Sequence, residues 1–404
     1  MTVPVSATLP AGTGRGRSPA GLDLSGPVLA ATGLFLVGLI GLPLAWLGAY
    51  AFSDRGGSFT LSNFRTLVDD PTLFQPLVTT FSLSLLVAVF AAIAAAPLAW
   101  VVARTDLPGR RTVRMLMTAS FVTPPFLGAI AWEILAAPNS GILNKLWREA
   151  TGSGDALFNI YSFPGLVFVV ACYTAPYVFV VLTNALDRIP ADLEDAAGIL
   201  GAGRWKVVTG VTLPLVLPAL LAGALVAFLQ AMTLFGSPAI LAIPAGFHTV
   251  TTKIYSLFQF PPKPQIAAAA ALPLLLVTIA LLWLQSRLLG RRGFAVLGGK
   301  SGEPRLMALG LWRWPVFALV IAVLALPLFL PYAALLKAAI SRVPSGPFDP
   351  NNLTFENFSF VFVEFSQTKR AFSNTFVMAA ATATCGAAMA LVIAYLAARR
   401  ATFG

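Results

Sequence analysis

Residues 189–214 read Ile189-Pro190-Ala191-Asp192-Leu193-Glu194-Asp195-Ala196-Ala197-Gly198-Ile199-Leu200-Gly201, then Ala202-Gly203-Arg204-Trp205-Lys206-Val207-Val208-Thr209-Gly210-Val211-Thr212-Leu213-Pro214. This polar stretch separates two apolar runs, at about 163–186 and 211–235. Each run is near the roughly 20 residues that a helix needs to cross a bilayer. The stretch itself predicts a helix, a turn and a second helix. Pro190 suits a first helical position, where its missing N–H matters least. Asp192, Glu194 and Asp195 complement the positive end of the helix. Gly201 and Gly203 supply the turn, and Pro214 is expected to start the next span. Ala196, Ala197 and Gly198 leave a shallow face for close packing by another protein. Leu193, Ile199 and Leu200 would fill a pocket or anchor the helix to the bundle.

The rest of the chain extends this pattern. Of 404 residues, 57% are hydrophobic and 11% charged, against about a quarter charged in soluble domains. The expected fold is therefore all-α, a polytopic membrane protein of about eight transmembrane helices. Beyond the two runs above, spans are expected at about 27–52, 77–103, 113–136, 266–288, 315–336 and 372–398. Residues 1–25 read as a disordered tail. The first run is longer than a signal-peptide core of about 7–15 residues and reads as an uncleaved span. With the N-terminus inside, 17 of the 27 Lys and Arg fall in inside segments, as the positive-inside rule requires. The net charge of +11 sits in short clusters between apolar runs, so it marks orientation, and no nucleic-acid partner is expected. Cys172, Cys385 and the single His248 offer no disulfide framework and no metal spacing.

A partial repeat runs through the chain. Thr80-Phe81, Ala99 and Arg104 recur as Thr375-Phe376, Ala394 and Arg399, at an offset of 295. Leu42-Pro43-Leu44 pairs with Leu326-Pro327-Leu328, and Asn63-Phe64 with Asn357-Phe358. Parallel repeats are usual in transporters. The expected organisation is a first half at 26–290 with six spans, a basic linker at 291–314 and the start of a second half at 315–404 with two. A second half or subunit is an expected partner if the chain is incomplete.

The loop carries a specific resemblance. Permease subunits of ABC importers share Glu-Ala-Ala, three residues, Gly, nine residues, then Ile-x-Leu-Pro. This chain has Asp195-Ala196-Ala197, Gly201 and Val211-Thr212-Leu213-Pro214 at that spacing. Asp195, with Glu194 beside it, stands for Glu, and Val211 stands for Ile. Gly141-Ile142-Leu143-Asn144 and Phe235-Gly236-Ser237-Pro238 resemble two outer segments of the same family. The resemblance implies a type I ABC importer transmembrane domain in a bacterial inner membrane, with the loop as the coupling helix. Glu194, Asp195, Ala196, Ala197 and Gly201 would dock an ATPase dimer that binds the ATP. Arg204 and Lys206 would hold the following helix, and Leu213 and Pro214 would join it to the next span. A periplasmic or tethered binding protein would deliver the substrate. Two halves in one chain most resemble iron(III) permeases, with thiamine, polyamine and phosphonate importers as alternatives. The chain itself is expected to be no enzyme and to hold no cofactor.

Rival readings are weaker. Gly298-Gly299-Lys300-Ser301 lacks the Gly that a phosphate loop needs. An ion-coupled secondary transporter needs paired ionisable groups at mid-membrane depth, and only Glu133 is a candidate. Glu133, Gln230 and Thr233 could line the translocation path; alternatively Glu133 sits at the interface, and the other two bond a neighbouring helix. Pro124-Pro125, Pro176 and Pro273 interrupt spans, either as flexing points or as tolerated kinks.

Overall fold

A computed structural model describes residues 25–290, 306–344, 346 and 349–398. The tail up to residue 24, most of the linker with Lys300, and Arg399 lie outside the described residues. No β-strand forms among the described residues beyond three isolated bridges. Ten helices carry the argument: α1 (Gly26–Ala51), α2 (Pro71–Arg104), α3 (Arg110–Val122), α4 (Pro125–Ala136), α5 (Phe163–Asp187), α6 (Ala191–Ile199), α7 (Trp205–Thr233), α8 (Pro264–Arg287), α9 (Gly310–Ala339) and α10 (Ser366–Leu396). Seven of them are long and apolar enough to span a bilayer, and α3 with α4 makes an eighth if that pair is one span.

The span expected at 113–136, interrupted at Pro124-Pro125, is sharply bent there: α3 and α4 meet at 100°. Thr123 and Pro124 are both extended, with ψ of 112° and 130°. A residue that precedes proline is pushed out of the helical region, and Pro125 pushes Pro124 in this way. In α7 the helix that holds Pro214 begins upstream of it, at Trp205, and runs through a π turn at Val208–Thr212 before the α-helical stretch from Leu213. In the wider turn the Leu213 N–H donates to the Val208 carbonyl, five residues back, and such widening eases the clash of a proline ring with the preceding turn. The same device recurs at Val37–Gly41 before Leu42-Pro43, and at Ala325–Phe329 before Leu330-Pro331.

One compact unit covers 47–364. Its centre is α2, α5 and α7, packed closely through small residues. In α2 the buried stripe is Ala88, Ala91, Ala95, Ala99 and Ala103. A Cβ on Gly223 of α7 would stand 3.0 Å from the Val178 Cα of α5. In lipid such small residues matter because no hydrophobic effect drives one helix onto another. Gly128 of α4 gives its space to the Tyr173 ring, which a Cβ would meet at 1.9 Å. Helix α9 buries Val320, Leu324 and Leu328 in this core. The Tyr332 and Thr123 hydroxyls share a hydrogen bond of 2.7 Å at the α3–α4 bend. The other unit covers 1–46 and 365–404, and in it the start of α1 touches α10.

The turns after α1 and after α9 have similar local geometry. After α1, the Asn63 amide donates to the carbonyls of Ala51 and Ser53 at 3.0 and 2.9 Å. After α9, the Asn357 amide donates to those of Ala339 and Ser341 at 3.0 and 2.9 Å. These clamps align Leu42-Pro43 with Leu330-Pro331, one turn away from the Leu326-Pro327 pairing. Two Leu-Pro dipeptides four residues apart on α9 make the sequence register ambiguous. The two outer segments are also built in. Asn144 donates to Ala137 and Phe158 and accepts from the Phe158 N–H. Ser237 donates to the Pro125 carbonyl at 2.9 Å, and Gly236 lies against Phe126.

Candidate functional site

The loop 189–214 folds as the short helix α6, a turn at 200–203 and the first turns of α7. Pro190 is extended and precedes the first turn of α6, which carries Asp192 and Glu194. Gly201 ends the helix at φ +83°, in the left-handed region. The Ala202 N–H donates to the Ala197 carbonyl and the Gly201 N–H to that of Gly198, both at 3.0 Å. This is the Schellman closure, which satisfies the last carbonyls of a helix. Any side chain at residue 201 would strain it.

The helix has two faces. Ile199, Leu200 and Trp205 are 86%, 87% and 77% exposed, and Leu193 is half-exposed. Asp195 and Ala196 share the exposed face, with Lys206, Leu213 and Pro214 exposed further along. The Arg204 side chain lies outside the described residues. Glu194 and Ala197 turn inward. Glu194 Oε1 accepts a hydrogen bond of 2.8 Å from the Thr212 hydroxyl. It also lies 3.6 Å from Nη2 of Arg104, the last residue of α2, whose side chain is 3% exposed. That same Nη2 donates to the Ile189 carbonyl at 3.3 Å. Beside this cluster the Arg114–Asp187 pair, two-pronged at 2.7 and 3.2 Å, ties the start of α3 to the end of α5. A cavity of about 400 Å³ lies between the loop, Trp100, Arg104 and the chain at Leu306-Met307-Ala308.

The sequence missed Arg104 and Thr212 as parts of the site, because their roles depend on contacts 85 and 18 residues away. Trp205 had a signal, an indole set in a polar loop. The three residues considered for a path do not form one group. Glu133 accepts a hydrogen bond of 2.6 Å from the Tyr161 hydroxyl. Burial first, then the hydrogen bond to Glu133, push the Tyr161 phenol up to about 12. Gln230 and Thr233 are exposed on α7, and the Thr233 hydroxyl donates back to the Leu229 carbonyl at 3.0 Å. No side-chain hydrogen bond joins either to Glu133 among the described residues. A larger cavity of about 540 Å³, between α2, α5 and α9, is walled by apolar side chains such as Phe90, Phe168, Met117 and Leu326. Among the described residues no three His, Cys, Asp or Glu group as metal ligands do.

Comparison with known proteins adds to this geometry. A family profile described as "Binding-protein-dependent transport system inner membrane component" matches residues 88–293. The chain is similar to the molybdenum transport system permease protein ModB of Haemophilus influenzae, at 30% identity over 227 residues. That match covers 54% of this chain and 96% of that protein. It is also similar to the ferric transport system permease protein FbpB of Actinobacillus pleuropneumoniae, at 27% identity over 181 residues, covering 45% of this chain and 26% of that protein. A solved bacterial alginate ABC transporter, in complex with an alginate pentasaccharide-bound periplasmic protein, shares the fold. Its TM-score is 0.56 at 19% identity, over 66% of this chain and 94% of that one.

Proposed function

The chain belongs to the family of binding-protein-dependent transport system inner membrane components, and on that premise we propose that loop 189–214 is the cytoplasmic dock for an ATPase dimer. The chain is a multi-pass inner membrane permease of the ABC importer class. The reading places the N-terminus and the loop in the cytoplasm and assigns ATP hydrolysis to the partner. A periplasmic binding protein would deliver cargo to the opposite face, and closure of the ATPase cleft would switch the cavity between inward and outward access.

The observation that carries this reading is the exposure of Ile199 and Leu200 at the capped end of α6 and of Trp205 at the start of α7. Large apolar side chains left exposed at a polar loop mark a protein contact. Burying each contributes about 1.5–3 kcal/mol. Leu200→Asp should therefore weaken association with the co-expressed ATPase subunit by at least about tenfold, read as the amount that co-purifies. Unchanged co-purification would refute the dock.

For cargo we propose iron(III). Support comes from the FbpB similarity and from the reading of a first permease half followed by the start of a second in one chain. A molybdenum oxyanion is the second reading, favoured by the ModB match along 96% of that protein. Uptake of radioactive iron against molybdate by cells that express the chain with its partners separates the two.

A further inference from the structure

We propose that Arg104 is a positioning residue, the inner receptor that passes movement of the coupling loop to α2 and to the linker between the repeats; this rests on the loop being the ATPase dock. Arg104 is a cation that is 3% exposed at the end of a spanning helix. Two of its nitrogens, Nε and Nη1, have no hydrogen-bond partner among the described residues. A buried guanidinium with unpartnered N–H groups is unfavourable unless another arrangement satisfies them. The nearest anion is Glu194, whose Oε1 lies 3.6 Å from Nη2. That is ion-pair range but beyond a hydrogen bond. The pair is thus one short step from a tighter arrangement.

Glu194 stands on α6, and its carboxylate also accepts from the Thr212 hydroxyl, about two turns into α7. Both sides of the loop therefore meet at one carboxylate. On the other side, Arg104 is joined to the linker through its backbone. The Met307 N–H donates to the Arg104 carbonyl at 2.8 Å, and the Asp106 N–H donates to the Met307 carbonyl at 3.2 Å. The Asp106 carboxylate accepts from the Leu309 N–H at 2.9 Å. Leu309 immediately precedes α9. The chain of contacts runs from dock to Glu194, to Arg104, to Met307, to α9. When the ATPase cleft carries α6 toward α2, the Glu194 carboxylate closes onto the guanidinium, and the shift reaches α9 through the paired backbone. Of the two neighbouring carboxylates that line the cavity beside Arg104, Glu194 is the one within ion-pair range of the guanidinium, while Asp195 is exposed.

Hydrogen exchange on the full chain in lipid nanodiscs tests this without an ATPase. Glu194→Gln should speed exchange of the Met307 and Leu309 amides by roughly fivefold or more, although neither amide touches residue 194. Arg104→Gln should do the same, and the double variant should add little to either single change. The swapped pair, Arg104→Glu with Glu194→Arg, should restore slow exchange. Unchanged exchange at Met307 and Leu309 in Glu194→Gln overturns the proposal, as does full additivity of the two changes. If an Arg104 variant fails to fold, Glu194→Gln decides alone, since its side chain is partly exposed. Addition of the ATPase subunit separates this proposal from the dock reading. A wild-type chain that holds no ATPase refutes the dock, while the exchange result still judges the latch. Glu194→Gln that loses the ATPase but keeps slow exchange makes Glu194 a docking residue and overturns its role here.

Discussion

Helices α2 and α10 each follow an asparagine-clamped turn, yet their burial differs. The buried stripe of α2, Ala88, Ala91, Ala95, Ala99 and Ala103, recurs at offset 295 as Ala383, Gly386, Ala390, Ala394 and Ala398. Both helices carry the small residues that let helices approach closely in lipid. In α2, 39% of the most apolar window is buried, against 0% in α10. The clamps made by Asn63 and Asn357, in contrast, agree to a tenth of an ångström. Short-range sequence builds the same turn after α1 and after α9. Burial of the following helix is set by which helices it meets.

The sharpest test of this contrast is a pair of matched substitutions. Ala91→Leu overfills a fully buried position and should cost about 1–3 kcal/mol. Gly386→Leu, at the equivalent exposed position, should stay within about 0.5 kcal/mol. Denaturant unfolding in detergent measures both, and an equal cost would show that α10 packs as α2 does. Next come the clamps. Asn63→Ala unpairs two carbonyls at a position only 8% exposed and should cost about 1–3 kcal/mol, while the exposed Asn357→Ala should cost less, about 0.5–1.5 kcal/mol. A reversed order would mean that the second hairpin is the more tightly held. The smallest effect is chemical. In detergent a maleimide should label Cys385 on exposed α10 faster than the half-buried Cys172 on α5; protection of Cys385 would break the comparison.

Much of the fold is legible in the sequence because bilayer length and apolar composition act residue by residue. The spans, the helix-turn-helix of the loop and the left-handed turn at Gly201 all follow from local chemistry. The 100° bend between α3 and α4 does not, although Pro124-Pro125 marks its place, because hydropathy is blind to direction. The unbroken run of α7 through Pro214 depends on a π turn that composition does not announce. The register of the second repeat slipped by one turn because Leu326-Pro327 and Leu330-Pro331 look alike locally. In the site, the neighbours Glu194 and Asp195 point about 100° apart, as adjacent residues on a helix must. Which of them faces inward is decided by Arg104, 90 residues earlier in the chain.

The central claim, that loop 189–214 is a cytoplasmic ATPase dock, reduces to one accessibility measurement. Leu200→Cys, in a chain with Cys172→Ser and Cys385→Ser, is exposed to a membrane-impermeant maleimide in inside-out and right-side-out vesicles. The account predicts labelling in inside-out vesicles alone, with protection once the ATPase subunit is bound. Labelling from the opposite face, or labelling that the bound ATPase leaves unchanged, would contradict it.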